Sequence, residues 1–340
     1  MKKIARITIP VLLLGFALGV AIPAAAQQAG VLSARKVGAA PAVDGVIEAA
    51  WNALPALSFK AVGGRNFANG STEATIKAMY TSDALYLLLQ YKDPTDSQRR
   101  SPWQKQGDGA WKKLADPADK GGDNNLYYED KFAFIWDISS PSFARQGCAV
   151  ACHVGEGKPY GNKYVPEEGA RLDLWHWKGV RTGAVGQVDD QYVDSTRYEK
   201  EKAPEAGRKS DPKTGGGYAD NVSEDKKGPR FALPGDKPAP PFWILDREKQ
   251  PLDSTKYKPG DEVPGILVSP FTGDRGEISA RETYQNGLRT MEIARKLVTG
   301  SEFDVQFSDL KKEYPFGVAL FDNAQVRHAF STGALRLKFE

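Results

Sequence analysis

Both cysteines of this 340-residue chain and one of its three histidines stand together in Gly147-Cys148-Ala149-Val150-Ala151-Cys152-His153. C-x-x-C-H is the attachment pattern of haem c. Here it is one residue longer, C-x-x-x-C-H. In that chemistry two thiols add to the two haem vinyl groups as thioethers, and the adjacent histidine ligates the iron. The loop must let both sulfurs and the imidazole reach one porphyrin face. Ala149, Val150 and Ala151 are small enough for the longer loop to do so.

Other chemistries compete for the same residues. Two close cysteines in an exported chain can form a disulfide, although closing so short a loop gains little entropy and risks strain. A zinc site lacks a further cysteine or paired histidine nearby. A redox dithiol requires the C-x-x-C spacing.

The remaining candidate ligands are His176, His328, Met79 and Met291. His176 lies between Trp175 and Trp177 and so faces the opposite side of a strand from both. The ordinary reading of such a histidine is one satisfied in the core or at the surface. Met79 and Met291 sit in apolar strands and read as core. Lys178 reads as a solvated strand end. Trp175 and Trp177 either flank a porphyrin or fill the protein interior.

Residues 1–26 read as an export signal. Lys2, Lys3 and Arg6 form a basic start, Ile7 to Ile22 carries no charge, and Ala24-Ala25-Ala26 supplies the small residues of a cleavage site. An uncleaved membrane anchor is the competing reading, since the run approaches the length of a spanning helix. Pro10, Gly15, Gly19 and Pro23 interrupt it, which favours cleavage near Ala26 and a periplasmic protein with no stable membrane insertion. The whole chain carries 46 basic and 43 acidic side chains. The signal holds three of the basic ones and none of the acidic, so the two signs balance in the remainder. No basic surface for nucleic acid is implied.

Short strands with Gly, Pro and Asn punctuation dominate the rest, 27–340, and predict an all-β fold, an antiparallel β-sandwich in one domain. The alternation marks strands at 75–82, 84–93, 131–138, 172–179, 316–321 and 335–339. Asn286-Gly287 between two alternating arms predicts a hairpin with a type I′ turn over 277–297. Two stretches, 94–128 and 199–241, read as long insertions. The first carries Trp103 and Trp111, so part of it packs. The second holds Gly215-Gly216-Gly217, many charges and Pro238 to Pro241, a composition that buries little apolar surface and predicts an exposed, dispensable loop.

Four pieces carry a family resemblance. Pro41-Ala42-Val43-Asp44-Gly45-Val46-Ile47-Glu48-Ala49-Ala50-Trp51 resembles the first strand and turn of family 9 carbohydrate-binding modules, as a structural signature or, alternatively, for sugar binding. Tyr128-Glu129-Asp130-Lys131-Phe132-Ala133-Phe134 resembles the E-D strand of the haem-binding gamma subunit of ethylbenzene dehydrogenase and its relatives. Leu172-Asp173-Leu174-Trp175-His176-Trp177-Lys178 resembles that family's D-x-W-x-W-K strand. Tyr314 to Asn323 followed by His328-Ala329-Phe330-Ser331 resembles its last core strand and ligand loop. The resemblance implies a β-sandwich with one haem near its edge, carrying electrons for a periplasmic molybdenum enzyme. Members with b-type haem hold the iron between Met and Lys. In this chain the segment of the Met contains Cys148, Cys152 and His153, and the position resembling the Lys is His328.

These residues predict one covalent haem c, bound through Cys148 and Cys152, with His153 and His328 as axial ligands and His176 as the rival to His328. Two strong ligands leave no open iron site, so the expected function is single-electron transfer rather than catalysis. The expected partners are redox proteins, a molybdenum enzyme or a membrane cytochrome. The alternative is a haem enzyme or gas sensor with an open distal side. No Ser-His-Asp set, Walker loop, H-E-x-x-H or dinucleotide fingerprint accompanies the motif.

Overall fold

The structure, a computed structural model, describes residues 30–151 and 163–340. The expected signal, and Cys152 and His153, lie outside the described residues.

Period-2 alternation of apolar residues builds one 13-stranded sheet that curls into a sandwich. Its strands are β1 (Val31–Lys36), β2 (Leu57–Val62), β3 (Ser71–Tyr80), β4 (Ala84–Lys92), β5 (Lys131–Asp137), β6 (Leu172–Lys178) and β7 (Asp189–Val193). They continue with β8 (Arg208–Ser210), β9 (Ser279–Gln285), β10 (Leu288–Lys296), β11 (Tyr314–Phe321), β12 (Ala329–Ser331) and β13 (Leu335–Phe339). The order across the sheet is β8-β7-β6-β5-β11-β12-β2-β3-β4-β10-β9. The far ends meet where Val188 N–H donates to Ile278 O and Ala280 N–H to Gly186 O. Pairing along this path is antiparallel, as expected. The exception is β1, which runs parallel to β13 through its first half and to β3 through its second.

Local chemistry fixes the turns. Asn286 and Gly287 both take positive φ, 53° and 76°, as a type I′ hairpin between β9 and β10 requires. Thr81 and Asp83 bond across the β3–β4 turn. Trp51 is buried with Leu54, Met79 and Leu88, and its indole donates to Glu292. The Asp44-Gly45 turn donates two backbone N–H groups to the same carboxylate, so this segment acts as a structural plug.

The inner face carries the core. Phe132, Phe134 and Trp136 of β5, Trp175 and Trp177 of β6, and Phe316 of β11 are all buried there. Trp136 packs 4.7 Å from Phe316 and 5.0 Å from Trp175. Truncating one such ring would cost about 3–5 kcal/mol. The two tryptophans of β6 therefore fill the sandwich. Met79 and Met291 are core, as expected.

The stretch 94–128 contributes Trp103–Lys105 and Trp111–Lys113, which pair with each other, and Glu262–Val263 joins them. The stretch 199–241 differs from its expectation as an exposed, dispensable loop. It supplies β8 to the main sheet, and its strand Gly215–Asp220 pairs with Ile266–Thr272. Ala232 and Leu233 of this stretch are buried, and Val222 and Tyr218 pack on small apolar clusters. No helix among the described residues is long and apolar enough to cross a membrane.

Candidate functional site

Strand alternation sends one set of side chains from β5, β6 and β11 inward and the other outward. Register aligns Ala133 with both His176 and Ala319, and Ile135 with both Leu174 and Gly317. The outward face is thus nearly flat at its centre, because Ala133, Ala319 and Gly317 raise little above the sheet. Over this floor lies an open-mouthed cleft with an enclosed volume of about 190 Å³.

Cys148 reaches this cleft from a short path. Ser140 caps the helix Pro141–Gln146, and the turn Gly147–Val150 follows. Gly147, at φ 66°, packs on the backbone of Gly333 and Ala334, where a Cβ would stand 2.7 Å away. The Cys148 side chain is thereby pressed against β11 and is buried.

The structure brings Cys148, His176 and His328 into one cleft. His176 is 6% exposed. Its Nδ1 lies 3.3 Å from Gln191 Oε1, while its Nε2 is buried with no hydrogen-bond partner among the described residues. This corrects the expectation of a satisfied histidine. A ring fixed through one nitrogen with the other bare is the arrangement metal-ligating histidines adopt. Burial first, then Lys178 and Lys131, pushes its pKa well below the usual value, so the ring is neutral at pH 7. His328 follows β11 and donates Nδ1–H to Val326 O at 3.1 Å, which leaves Nε2 as the basic nitrogen. Phe321 lies between the two imidazoles, 5.8 Å from His176 and 4.6 Å from His328 by ring centroids.

The rim is basic. Lys131, Lys163, Lys178, Arg181 and Arg208 line the cleft, against one carboxylate, Glu205. Lys178 is buried and ion-paired with Asp189, not solvated as expected. Asp189 also accepts from Tyr218 and Arg275. Burial would raise its pKa, but Lys178 and then Arg275 bring it down to about 2. Arg181 pairs with buried Glu129, which also accepts the backbone N–H of Val180 at 2.7 Å. Lys131 donates to Gln325 O at 2.8 Å. No carboxylate among the described residues lies within ion-pair distance of it, and burial lowers its pKa well below the usual value.

Sequence reasoning missed Lys131, Gln191, Arg208 and Tyr218. Lys131 was legible, since period 2 across the β5–β6 register puts it on the His176 face. The other three were not, because β7, β8 and the segment after them reach the cleft only through tertiary pairing.

Fold and cleft together define an all-β sandwich protein with a basic, histidine-bearing site on the outer face of its aromatic core. The chain belongs to the ethylbenzene dehydrogenase family, whose model matches residues 48–332. No curated protein matches the chain. Among solved structures it is similar to a family 9 carbohydrate-binding module from Caldicellulosiruptor kristjanssonii in complex with glucose. The identity is 10%, with 91% of this chain and 95% of that one covered and a TM-score of 0.35. The complex of such a module with cellotriose gives 10% identity, 91% and 93% coverage and a TM-score of 0.34.

Proposed function

We infer that this protein is a periplasmic c-type cytochrome that passes single electrons, as the haem subunit of a molybdenum oxidoreductase complex. The observation that carries the reading is the convergence of Cys148, His176 and His328 on one flat-floored, basic cleft. The fit rests on chemistry present in the chain. The buried Nε2 of His176, with no partner among the described residues, shows that the cleft offers imidazole nitrogen to iron, and buried Lys131, with no carboxylate within ion-pair distance among the described residues, suits a propionate. When bound, haem supplies a one-electron iron couple. Cys148 and Cys152 would hold it covalently. His153 and His328 would ligate the iron, and Gln191 and Val326 O would fix the rings of His176 and His328.

The rest of the chain sets the environment. The rigid aromatic layer behind β5 and β6 resists rearrangement on a change of charge. The basic rim would pair with haem propionates at the mouth, and its positive charge would favour the reduced state and raise the potential. The mouth is where a partner would approach.

A second reading exchanges the distal ligand. The orphaned Nε2 of His176, on a strand and backed by Gln191, favours His176 in place of His328. The open-iron alternative would leave the ferric protein high-spin, whereas two imidazoles give low-spin iron.

Acid–acetone extraction tests the covalent claim. The colour is expected to stay with the polypeptide. Transfer of all the haem to the organic phase would overturn it.

A further inference from the structure

Behind the cleft, on the core side of β6, a group of carboxyls converges from distant parts of the chain. Asp173 of β6, Asp190 of β7 and Asp304 each place an oxygen within 4.8 Å of the others. Asp274, Glu277 and Asp304 do the same, so Asp304 joins two triads. Asp211, just after β8, lies against Asp173 and Asp304. Asp173, Asp190, Asp211 and Asp304 are all at least 97% buried.

Arg295 is the one cation among the described residues within 4.0 Å of these groups. It stands 3.0 Å from Asp304 and 3.5 Å from Asp173. One guanidinium cannot offset six carboxylates. Coulomb repulsion at these separations, in a medium of low dielectric, is worth several kcal/mol per pair.

The hydrogen bonding is one-sided. One oxygen of each inner carboxyl is held. Asp173 Oδ2 accepts from Val305 N and Trp175 Nε1, both at 3.0 Å. Asp190 Oδ1 accepts from Gln191 N at 3.2 Å. Asp304 Oδ2 accepts from Thr299 Oγ1 at 2.6 Å. The other oxygen of each is buried with no hydrogen-bond donor among the described residues, as are both oxygens of Asp211 and Oε1 of Glu277. Buried polar atoms are rarely left bare, and six carboxylate oxygens of this one cluster are so.

A second acidic triad shows the contrast. Asp93, Asp130 and Asp322 also converge, but Arg289 enters between them. It lies 2.7 Å from Asp93 and 2.6 Å from Asp130. Both oxygens of Asp130 take backbone N–H groups, from Ser97 and Asn323. Arg289 occupies that site, and Oδ1 of Asp93 is the oxygen there without a partner among the described residues.

We propose that Asp173, Asp190, Asp211, Asp304 and Glu277 form a structural calcium site. Calcium takes six to eight oxygens at 2.3–2.6 Å, so ligands on opposite sides stand up to about 5 Å apart, which the 4.8 Å spread of Asp173, Asp190 and Asp304 matches. Magnesium needs shorter, strictly octahedral contacts and keeps its water, which a buried cluster of carboxylates does not favour. With the ion in place, the held oxygens serve to orient each ligand. The ion would tie β6, the strand bearing His176, to β7, to the end of β8 and to the segment before β11.

The test needs no knowledge of the haem. Purified full-length protein is dialysed against metal-free buffer at pH 7 and its calcium measured by atomic emission. One calcium per chain is expected. EGTA is expected to lower the melting temperature by about 5 °C, in line with loss of a ligand held at a hundredfold excess over its Kd. Calcium should restore it and equimolar magnesium should not. The double variant Asp190→Asn/Asp211→Asn should carry no calcium and show no response to EGTA. If that variant fails to fold, the wild-type measurements decide alone. Absence of bound calcium with melting indifferent to EGTA and calcium would overturn the site, leaving the cluster neutralised by protons. Equal rescue by magnesium would overturn the assignment to calcium.

Discussion

A Cβ added to Gly317 would stand 2.4 Å from the Sγ of Cys148. The thiol therefore occupies the place a side chain of β11 would take, and the cysteine is seated on the sheet by contact. Gly317→Ala should displace it. The expected cost is about 1–3 kcal/mol from overpacking, with less covalent haem per chain. Haem staining after denaturing electrophoresis, read beside the melting temperature, checks both. Unchanged staining would show that the thiol's seat is not needed for attachment.

The two histidines separate by spectroscopy. His328→Ala should keep covalent haem, turn the ferric iron high-spin and admit carbon monoxide to the reduced protein. His176→Ala should leave the iron low-spin. The reverse pattern assigns the distal bond to His176, as its bare nitrogen would have it.

Glu129 gives a pH dependence. Burial opposes its charge, but Arg181, Arg100 and Lys131 hold its pKa below the ordinary 4.5. A lowered folded value means the stabilisation is full above 4.5 and is lost as the pH falls below it. Glu129→Gln leaves Arg181 buried without its charge partner, at a cost of about 3 kcal/mol. Urea unfolding should show that gap at pH 7 and a shrinking gap below pH 4.5. A gap constant with pH would mean that charge is not what Glu129 contributes.

Cleavage and deletion should differ within the stretch 199–241. Residues 199–202 are exposed, and a nick there should leave the Soret band unchanged. Deleting 208–220 removes Arg208 and Tyr218 from the cleft and one strand from the sheet edge. The Soret absorbance per chain should then fall at least severalfold. A full-strength band after that deletion would show that the segment only covers the site.

Much of this protein is local and was legible in its sequence. Alternation marked the strands, and Asn286-Gly287 marked its hairpin, because both depend on neighbouring residues alone. The spacing of Cys148, Cys152 and His153 raised the expectation of covalent haem by itself, with a disulfide as its rival. Opposite facing of His176 and its flanking tryptophans followed from the two-residue period of a strand. Whether that face meets solvent did not follow. β7, β8 and the stretch 208–220 line it, and their polar composition concealed this because strand pairing, not an apolar pattern, brings them there. Lys178 looked solvated for the same reason, since its partner Asp189 arrives through strand pairing. Asp173, Asp190, Asp211, Glu277 and Asp304 show no common period, and only the closing of the sheet sets them side by side. Sequence determined which residues alternate and which turn; the tertiary structure decided which charges share a space, because electrostatic energy depends on distance in space and not on distance along the chain.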